Sequence, residues 1–175
     1  PGTGVLWLAE GLEPRPLIQG GTGTESESED MPAKLPGRLE SGTPNIVALA
    51  GLAAGIDYIL GRGIEVIRAH ASTLTQLFIK EGGPVDGVTL FCPETPHRTG
   101  LVPFIMRGYD PQELAAALDA SFDIAVRAGL QCAPGAHQCL GTFPGGTVRM
   151  SVGPFSTERD VSFLVEALHQ LSMLV

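Results

Sequence analysis

The sequence predicts an α/β chain whose C-terminal part is a small α+β domain, that is, a small sheet covered by helices. After residue 85 the segments follow the order strand, strand, helix, strand, helix, which is typical of helices packed on one small sheet. Before them, a strand-like run, a long loop and two helical segments indicate a second region. We therefore expect boundaries at 1–43 for the strand and loop, 44–84 for connecting helices and 85–175 for the small domain.

The helices of the connecting region are marked by capping residues and by apolar spacing. Thr43 is a good N-cap residue, and Pro44 suits the first position of the helix that follows. A second helix is expected over residues 64–81, ending at a Gly-Gly-Pro sequence.

Two further helices carry capping-box signatures. Asp110 and Glu113 mark a helix that we expect to continue to Gly129, and Thr157 with Asp160 marks the last helix. The expected buried face of that last helix consists of Val161, Leu164, Val165, Leu168 and Leu171.

The strand predictions rest on short runs of β-branched and aromatic residues. We expect strands at residues 5–9, 88–91, 101–106 and 148–152. Pro103 cannot donate a ladder hydrogen bond, so the second and third of these runs are predicted to form a hairpin at the edge of the sheet.

Charge and cysteine content exclude several classes of protein. The chain has 175 residues and a net charge of −8, and an acidic run (Glu25, Glu27, Glu29 and Asp30) lies in the long loop, so neither nucleic acid nor an anionic membrane is an expected partner. Three cysteines form no even disulfide framework, which favours a reducing, cytoplasmic location. The apolar run 46–60 is shorter than the roughly 20 residues that a membrane span needs.

One cysteine and one arginine stand out chemically. Cys132 lies in a Gly/Pro-rich loop, where a thiol can reach a bound substrate, although a free cysteine is more often inert. Arg149 lies in a strand and could hold a carboxylate through two hydrogen bonds, although a strand arginine often faces solvent. Cys132, His137 and Cys139 match no common zinc pattern, so no metal is expected, and Cys139 is interpreted as a packing residue.

A third feature could bind an anion. The Gly42-Thr43 turn before a helix offers backbone N–H groups and a hydroxyl that suit a phosphate, although most such turns are only caps. His70 and His97 are expected to be exposed or hydrogen-bonded rather than functional.

Several segments, taken in order, resemble motifs of the class V aminotransferase superfamily, and most closely those of cysteine desulfurases. They are PGTGVLWL at 1–8, GGT at 20–22, GTPN at 42–45, RAGLQCAP at 127–134, VRMS at 148–151 and FSTERD at 155–160. The similarity covers nearly the whole chain.

The resemblance implies a fold type I enzyme that uses pyridoxal phosphate and acts on L-cysteine, giving L-alanine. Cys132 would form the persulfide, Arg149 would hold the substrate carboxylate, and Arg127 is a second candidate for that role. The cofactor-binding residues would be Gly21, Thr22, Gly42 and Thr43. The family also implies a homodimer, in which the Gly42-Thr43 turn meets the cofactor phosphate of the partner subunit, and a protein that accepts the sulfur.

The family's Schiff-base lysine has no counterpart in this chain. It precedes the segment that resembles residues 1–8, and neither Lys34 nor Lys80 lies in a setting that would activate an amine. We therefore expect this chain to be the C-terminal portion of a longer enzyme, with residues 1–43 a remnant of the large domain. Alone, it is expected to be inactive and not to hold the cofactor covalently.

Other readings of the sequence remain open. A class V aminotransferase, a C–S lyase or a selenocysteine lyase would use the same arginine and phosphate turn. A protein of another class would be a non-catalytic interaction or metal-binding domain, in which Cys132, His137 and Cys139 hold zinc or the acidic loop binds a partner.

Overall fold

A computed structural model describes residues 2–23, 27–92 and 98–175. Glu25 and His97, which enter the sequence predictions, lie outside these residues. The chain divides into two compact units, Pro1–Gly61 and Arg62–Val175. The division falls inside the region predicted as connecting helices.

The first unit consists mainly of loop. It holds a turn of 3-10 helix at Gly37–Leu39 and most of helix α1, Ile46–Arg62. The predicted strand at 5–9 is wrong: these residues form no strand, and Val5, Leu6 and Trp7 are 77%, 69% and 81% exposed. A strand is stabilised by hydrogen bonds to a neighbouring strand, and the described residues of this unit contain none.

The start of α1 also differs from the prediction. Asn45, not Thr43, caps the helix, because its Oδ1 accepts a hydrogen bond from the N–H of Ala48 at 3.1 Å. Asparagine caps somewhat better than threonine, and Pro44 then lies just outside the helix instead of at its first position. The Thr43 hydroxyl is consequently not used as a cap.

The second unit holds four helices and a four-stranded antiparallel sheet in the order β1-β2-β4-β3. The strands are β1 (Val88–Leu90), β2 (Leu101–Met106), β3 (Arg127–Gly129) and β4 (Thr147–Ser151). The helices are α2 (Ile64–Gly82), α3 (Pro111–Phe122), α4 (Pro134–Leu140) and α5 (Glu158–Ser172). The predicted small sheet covered by helices is confirmed.

The predicted helix from Asp110 to Gly129 is too long, and it hid strand β3. Helix α3 ends at Phe122, where Asp123 adopts a left-handed conformation (φ 56°) and the N–H of Ile124 bonds to the carbonyl of Leu118. Residues 127–129 then pair with β4. The apolar spacing that suggested a longer helix is equally satisfied by a turn and a short strand. The short helix α4 was also not predicted.

Strand β2 is central, so the prediction of an edge hairpin is wrong for this strand. It pairs with β1 on one side and with β4 on the other. The carbonyl of Pro103 accepts from the N–H of Phe91, one residue beyond the end of β1. Because a residue's N–H and C=O point to the same neighbouring strand, the missing donor falls where the ladder with β1 ends.

The sheet has a covered face and an open face. Val102, Phe104 and Val148 are fully buried, and they belong to one core with residues of α2, α3 and α5. The predicted face of α5 is buried throughout. Since side chains alternate along a strand, Arg127 and Arg149 fall on the opposite face, where Arg149 is half-buried and Arg127 is exposed. The open face therefore carries the charged residues.

Both predicted capping boxes are present. Asp110 Oδ1 accepts from the N–H of Gln112 at 2.8 Å, and Glu113 Oε2 accepts from the N–H of Asp110 at 3.3 Å. The box at Thr157 and Asp160 has the same reciprocal pattern.

Substituting the cap of α3 should weaken the second unit measurably. Asp110→Ala leaves a backbone donor of α3 without its partner, and we expect a loss of about 1 kcal/mol in the free energy of unfolding. Urea denaturation measures it. Asp119→Ala, an exposed aspartate near the other end of α3, is the matched control and should cost less. Equal losses would contradict the capping role.

Among the described residues, no single helix is long and apolar enough to cross a membrane. Helices α1 and α2 satisfy length and composition only when they are counted together as one interrupted segment.

Candidate active site

Cys132 lies on a tight turn between β3 and α4. Its side chain is exposed, as predicted from its loop setting. Cys132 and the preceding Gln131 both have left-handed backbones, with φ of 61° and 52°. For a residue other than glycine this conformation costs roughly 1–2 kcal/mol. The surrounding contacts must therefore hold the turn.

Close packing of two glycines supports this turn from below. A Cβ on Gly146 would collide with the backbone of Gly129, so the loop before β4 can approach the end of β3 only with glycine at 146. The N–H of Ala133 bonds to the carbonyl of Leu130 at 2.9 Å and closes the turn. The result is a short, well-braced connection that presents the thiol to solvent.

The side chain of Gln131 ties the turn to β4. Its Nε2 lies 3.1 Å from the carbonyl of Thr147, 3.3 Å from Thr147 Oγ1 and 3.4 Å from the carbonyl of Arg127. Sequence reasoning missed Gln131, because nothing in the sequence near this residue indicates that the chain returns to it at Thr147.

Two arginines lie beside the thiol. Arg127 and Arg149 are directly opposite one another in the β3–β4 register. Arg127 Nη2 is 3.9 Å from Cys132 Sγ, and Arg149 Nε donates to Ser151 Oγ at 3.1 Å. The structure thus brings together the three side chains predicted for sulfur transfer and substrate binding.

The arginine pair lacks a negative partner within the protein. Neither guanidinium forms an ion pair with any carboxylate in the described part of the chain. Like charges directly opposite each other on neighbouring strands destabilise a sheet. A bound anion would relieve the repulsion, and a guanidinium binds a carboxylate through two parallel hydrogen bonds.

His137 and Cys139 do not join Cys132 in a metal site. His137 is 4% exposed, its Nδ1 lies 2.7 Å from Thr142 Oγ1, and its carbonyl accepts from Thr142 and Phe143. Cys139 is exposed, so the expectation that it packs is wrong. Within residues 2–23, 27–92 and 98–175, no three His, Cys, Asp or Glu side chains are grouped to hold a metal ion.

His70 is hydrogen-bonded, as expected. Its Nε2 lies 2.8 Å from the carbonyl of Ser156, which connects helix α2 to the loop before α5. This contact gives His70 a structural role in the second unit.

The predicted phosphate-binding segments meet in the first unit. The N–H of Gly42 donates to the carbonyl of Gly21 at 2.7 Å, which places Gly21 and Thr22 next to the Gly42-Thr43 turn. The Gly42 N–H is therefore already used and cannot bind a phosphate in this conformation. Thr43 is exposed, and its N–H and hydroxyl bond to no residue that the structure describes.

A cleft of about 590 Å³ adjoins this turn. It is lined by Thr3, Arg15, Ser41, Thr43 and Asn45, with Gly2, Gly4 and several apolar residues. Hydroxyls, a guanidinium and backbone N–H groups are the donors that bind phosphate, so these residues fit the phosphate of pyridoxal phosphate.

Neither lysine occupies a pocket-like position. Lys34 is exposed and is not among the described residues that line the cleft. Lys80 is exposed near the end of α2, in the other unit.

The fold and the site together match one family. The family Aminotransferase class-V matches residues 1–164. The chain belongs to the class V aminotransferases, and the family-level resemblance seen in the sequence is confirmed.

Similar proteins carry the name of a particular enzyme within that class. The chain is 33% identical to a probable cysteine desulfurase of Staphylococcus epidermidis, over 97% of this chain and 41% of that protein. It is also 33% identical to one of Methanothermobacter thermautotrophicus, over 98% of this chain and 44% of that protein. The chain thus spans about two fifths of the length of these relatives.

Solved structures give the same result. The cysteine desulfurase of Thermococcus onnurineus superposes with a TM-score of 0.80 and 29% identity, covering 91% of this chain and 40% of that one. A cysteine desulfurase of Escherichia coli gives 0.75 and 26%, covering 91% and 39%. An alanine–glyoxylate aminotransferase of Nostoc, at 0.60 and 20% over 77% and 33%, shares the fold alone.

Proposed function

We propose that this chain is the C-terminal portion of a pyridoxal-phosphate-dependent cysteine desulfurase. The enzyme would remove sulfur from L-cysteine as a persulfide on Cys132 and release L-alanine. One observation carries the proposal: an exposed thiol 3.9 Å from Arg127, which faces the unpaired Arg149 across two strands. The relatives named cysteine desulfurase support it.

The residues of this chain divide the work between binding and attack. Arg149 holds the substrate carboxylate, and the charge of Arg127 favours negative charge on the Cys132 sulfur. The Cys132 thiolate attacks the sulfur of the bound cysteine, so an S–S bond forms as the C–S bond breaks. The electron pair of the C–S bond remains on the substrate carbon, which takes up a proton and becomes the methyl group of alanine.

The cofactor supplies what the side chains cannot. When bound, pyridoxal phosphate withdraws electrons from the substrate. Thr43, with the Gly21-Thr22 segment beside it, would hold its phosphate, while the covalent lysine would lie outside this chain.

A homodimer forms part of the proposal. Helix α1 buries none of its side chains, and Ile46, Val47 and Leu60 are 72%, 86% and 74% exposed. A helix with so apolar a surface is stable only when another surface covers it. In the dimer, the Gly42-Thr43 turn would face the partner subunit's cofactor phosphate. We also propose a cytoplasmic location and a protein that accepts the persulfide sulfur.

Borohydride trapping tests where the cofactor is attached. We expect this chain, titrated with pyridoxal phosphate and then reduced, to show no single stoichiometric lysine adduct by intact mass, because Lys34 and Lys80 are both exposed and unactivated. The full-length protein should show one adduct, at a lysine outside these 175 residues. A stoichiometric adduct at Lys34 or Lys80, or a full-length protein without bound cofactor, would contradict the proposal.

The family match also favours a second function, transamination. An aminotransferase would use the arginine pair and the phosphate turn in the same way but would not need the thiol of Cys132. The two functions are separated by substitution of Cys132, as argued in the Discussion.

A further inference from the structure

The turn that carries Cys132 has two consecutive left-handed residues, and only one of them has a side chain bonded to the rest of the sheet. Gln131 donates to Thr147 and to the carbonyl of Arg127, whereas Cys132 points to solvent. We infer that Gln131 is a positioning residue for Cys132 in sulfur transfer, an inference that rests on the proposed function.

The bonds of Gln131 reach both strands beside the thiol. Thr147 opens β4 and pairs with Gly129 at the end of β3, so an amide bonded to Thr147 and to Arg127 joins the two strand ends. Arg127 is also the residue whose guanidinium lies near Sγ. Gln131 therefore fixes the turn relative to the side chain that contacts the thiol.

Thr147 depends on this contact. Its side chain is 0% exposed, and within the described part of the chain its hydroxyl is bonded to Gln131 Nε2. A buried hydroxyl is costly to leave unpaired, so the pair resists separation. This resistance holds Gln131, and with it Cys132, in a backbone conformation that neither residue would otherwise favour.

The test compares Gln131→Leu with Gln138→Leu in the full-length enzyme. Leucine keeps the approximate size of glutamine but cannot donate a hydrogen bond. We expect Gln131→Leu to lower kcat for sulfide release about 10- to 100-fold, since a small misplacement of a reacting group has effects of this size. KM for L-cysteine should change little, because Arg149 is untouched. Gln138→Leu, on the exposed side of α4, should leave both constants unchanged.

A double-mutant cycle separates positioning from general weakening. Thr147→Val removes the hydroxyl that Gln131 binds, so it should lower kcat in the wild type and have no further effect in Gln131→Leu. Additive losses, or equal changes in kcat and KM, would overturn the inference.

Hydrogen exchange on this chain gives a readout that does not require catalysis. Amides of residues 130–133 should exchange faster in Gln131→Leu than in the wild type or in Gln138→Leu. Unchanged exchange overturns the positioning role. A wild-type enzyme without desulfurase activity, together with faster exchange in Gln131→Leu, would refute the proposed function but leave the anchoring by Gln131 supported.

Discussion

Cys132→Ala is expected to abolish sulfur transfer while leaving the fold intact. The thiol is the atom that forms the new S–S bond in the proposed reaction, and loss of a nucleophile typically costs several orders of magnitude in rate. The side chain is exposed, so its truncation opens no cavity in the core. Sulfide release from L-cysteine under reducing conditions measures the activity of the full-length enzyme, and urea denaturation checks the fold.

Cys139→Ala is the matched control for this substitution. Cys139 is also exposed and lies seven residues later, on α4, but it has no role in the proposed step. Its substitution should preserve sulfide release. Wild-type sulfide release in Cys132→Ala would contradict the persulfide mechanism and favour a C–S lyase. Transamination without sulfide release in both the wild type and the variant would favour the aminotransferase.

Arg149→Gln is expected to weaken productive binding of L-cysteine. Glutamine cannot supply the charge or the two-pronged geometry of a guanidinium. A hydrogen bond to a charged group contributes about 1.5–3 kcal/mol. At 1.36 kcal/mol per tenfold change in rate, kcat/KM should fall roughly 10- to 100-fold. Steady-state kinetics of alanine formation measure the loss, which should fall mainly on KM because the thiol is untouched.

Two other arginine substitutions show whether this loss is specific. Arg149→Lys keeps the charge but not the fork, so its kcat/KM should be intermediate. Arg107→Gln removes a surface arginine that is paired with Asp86 at 2.8 Å, and it should leave the kinetics unchanged. An unaltered KM in Arg149→Gln would contradict the assignment of Arg149 to the substrate carboxylate.

Local signals made the helices of the second unit predictable. Capping residues at Asp110 and Thr157 fix where α3 and α5 begin, and these contacts involve only residues within three positions of each other. The buried face of α5 follows from its spacing alone. Interactions of this range are encoded in the sequence next to the element that they stabilise.

Features that depend on distant partners were not predictable in the same way. A run of apolar residues at 5–9 has the composition of a strand, but a ladder needs a second strand. Strand β3 exists because β4, some 20 residues later, pairs with it, and the three residues involved carry no strand signal of their own. The central position of β2 despite Pro103 likewise depends on where β1 ends.

The candidate site shows the same division. The chemistry of a loop cysteine and a strand arginine drew attention to Cys132 and Arg149, and resemblance added Arg127. That Arg127 and Arg149 are direct partners follows only from the sheet register. The bonds of Gln131 to Thr147 depend on the same register, so the sequence gave no sign of them.

The most direct test of the account is to locate the sulfur. The full-length enzyme is incubated briefly with L-cysteine without reductant, its free thiols and persulfides are alkylated, and its peptides are analysed by mass spectrometry. The account predicts one additional sulfur atom on the peptide that contains Cys132, which disappears on reduction. Conversion of L-cysteine to L-alanine with no added sulfur on Cys132, or with the sulfur on Cys139 instead, would contradict it.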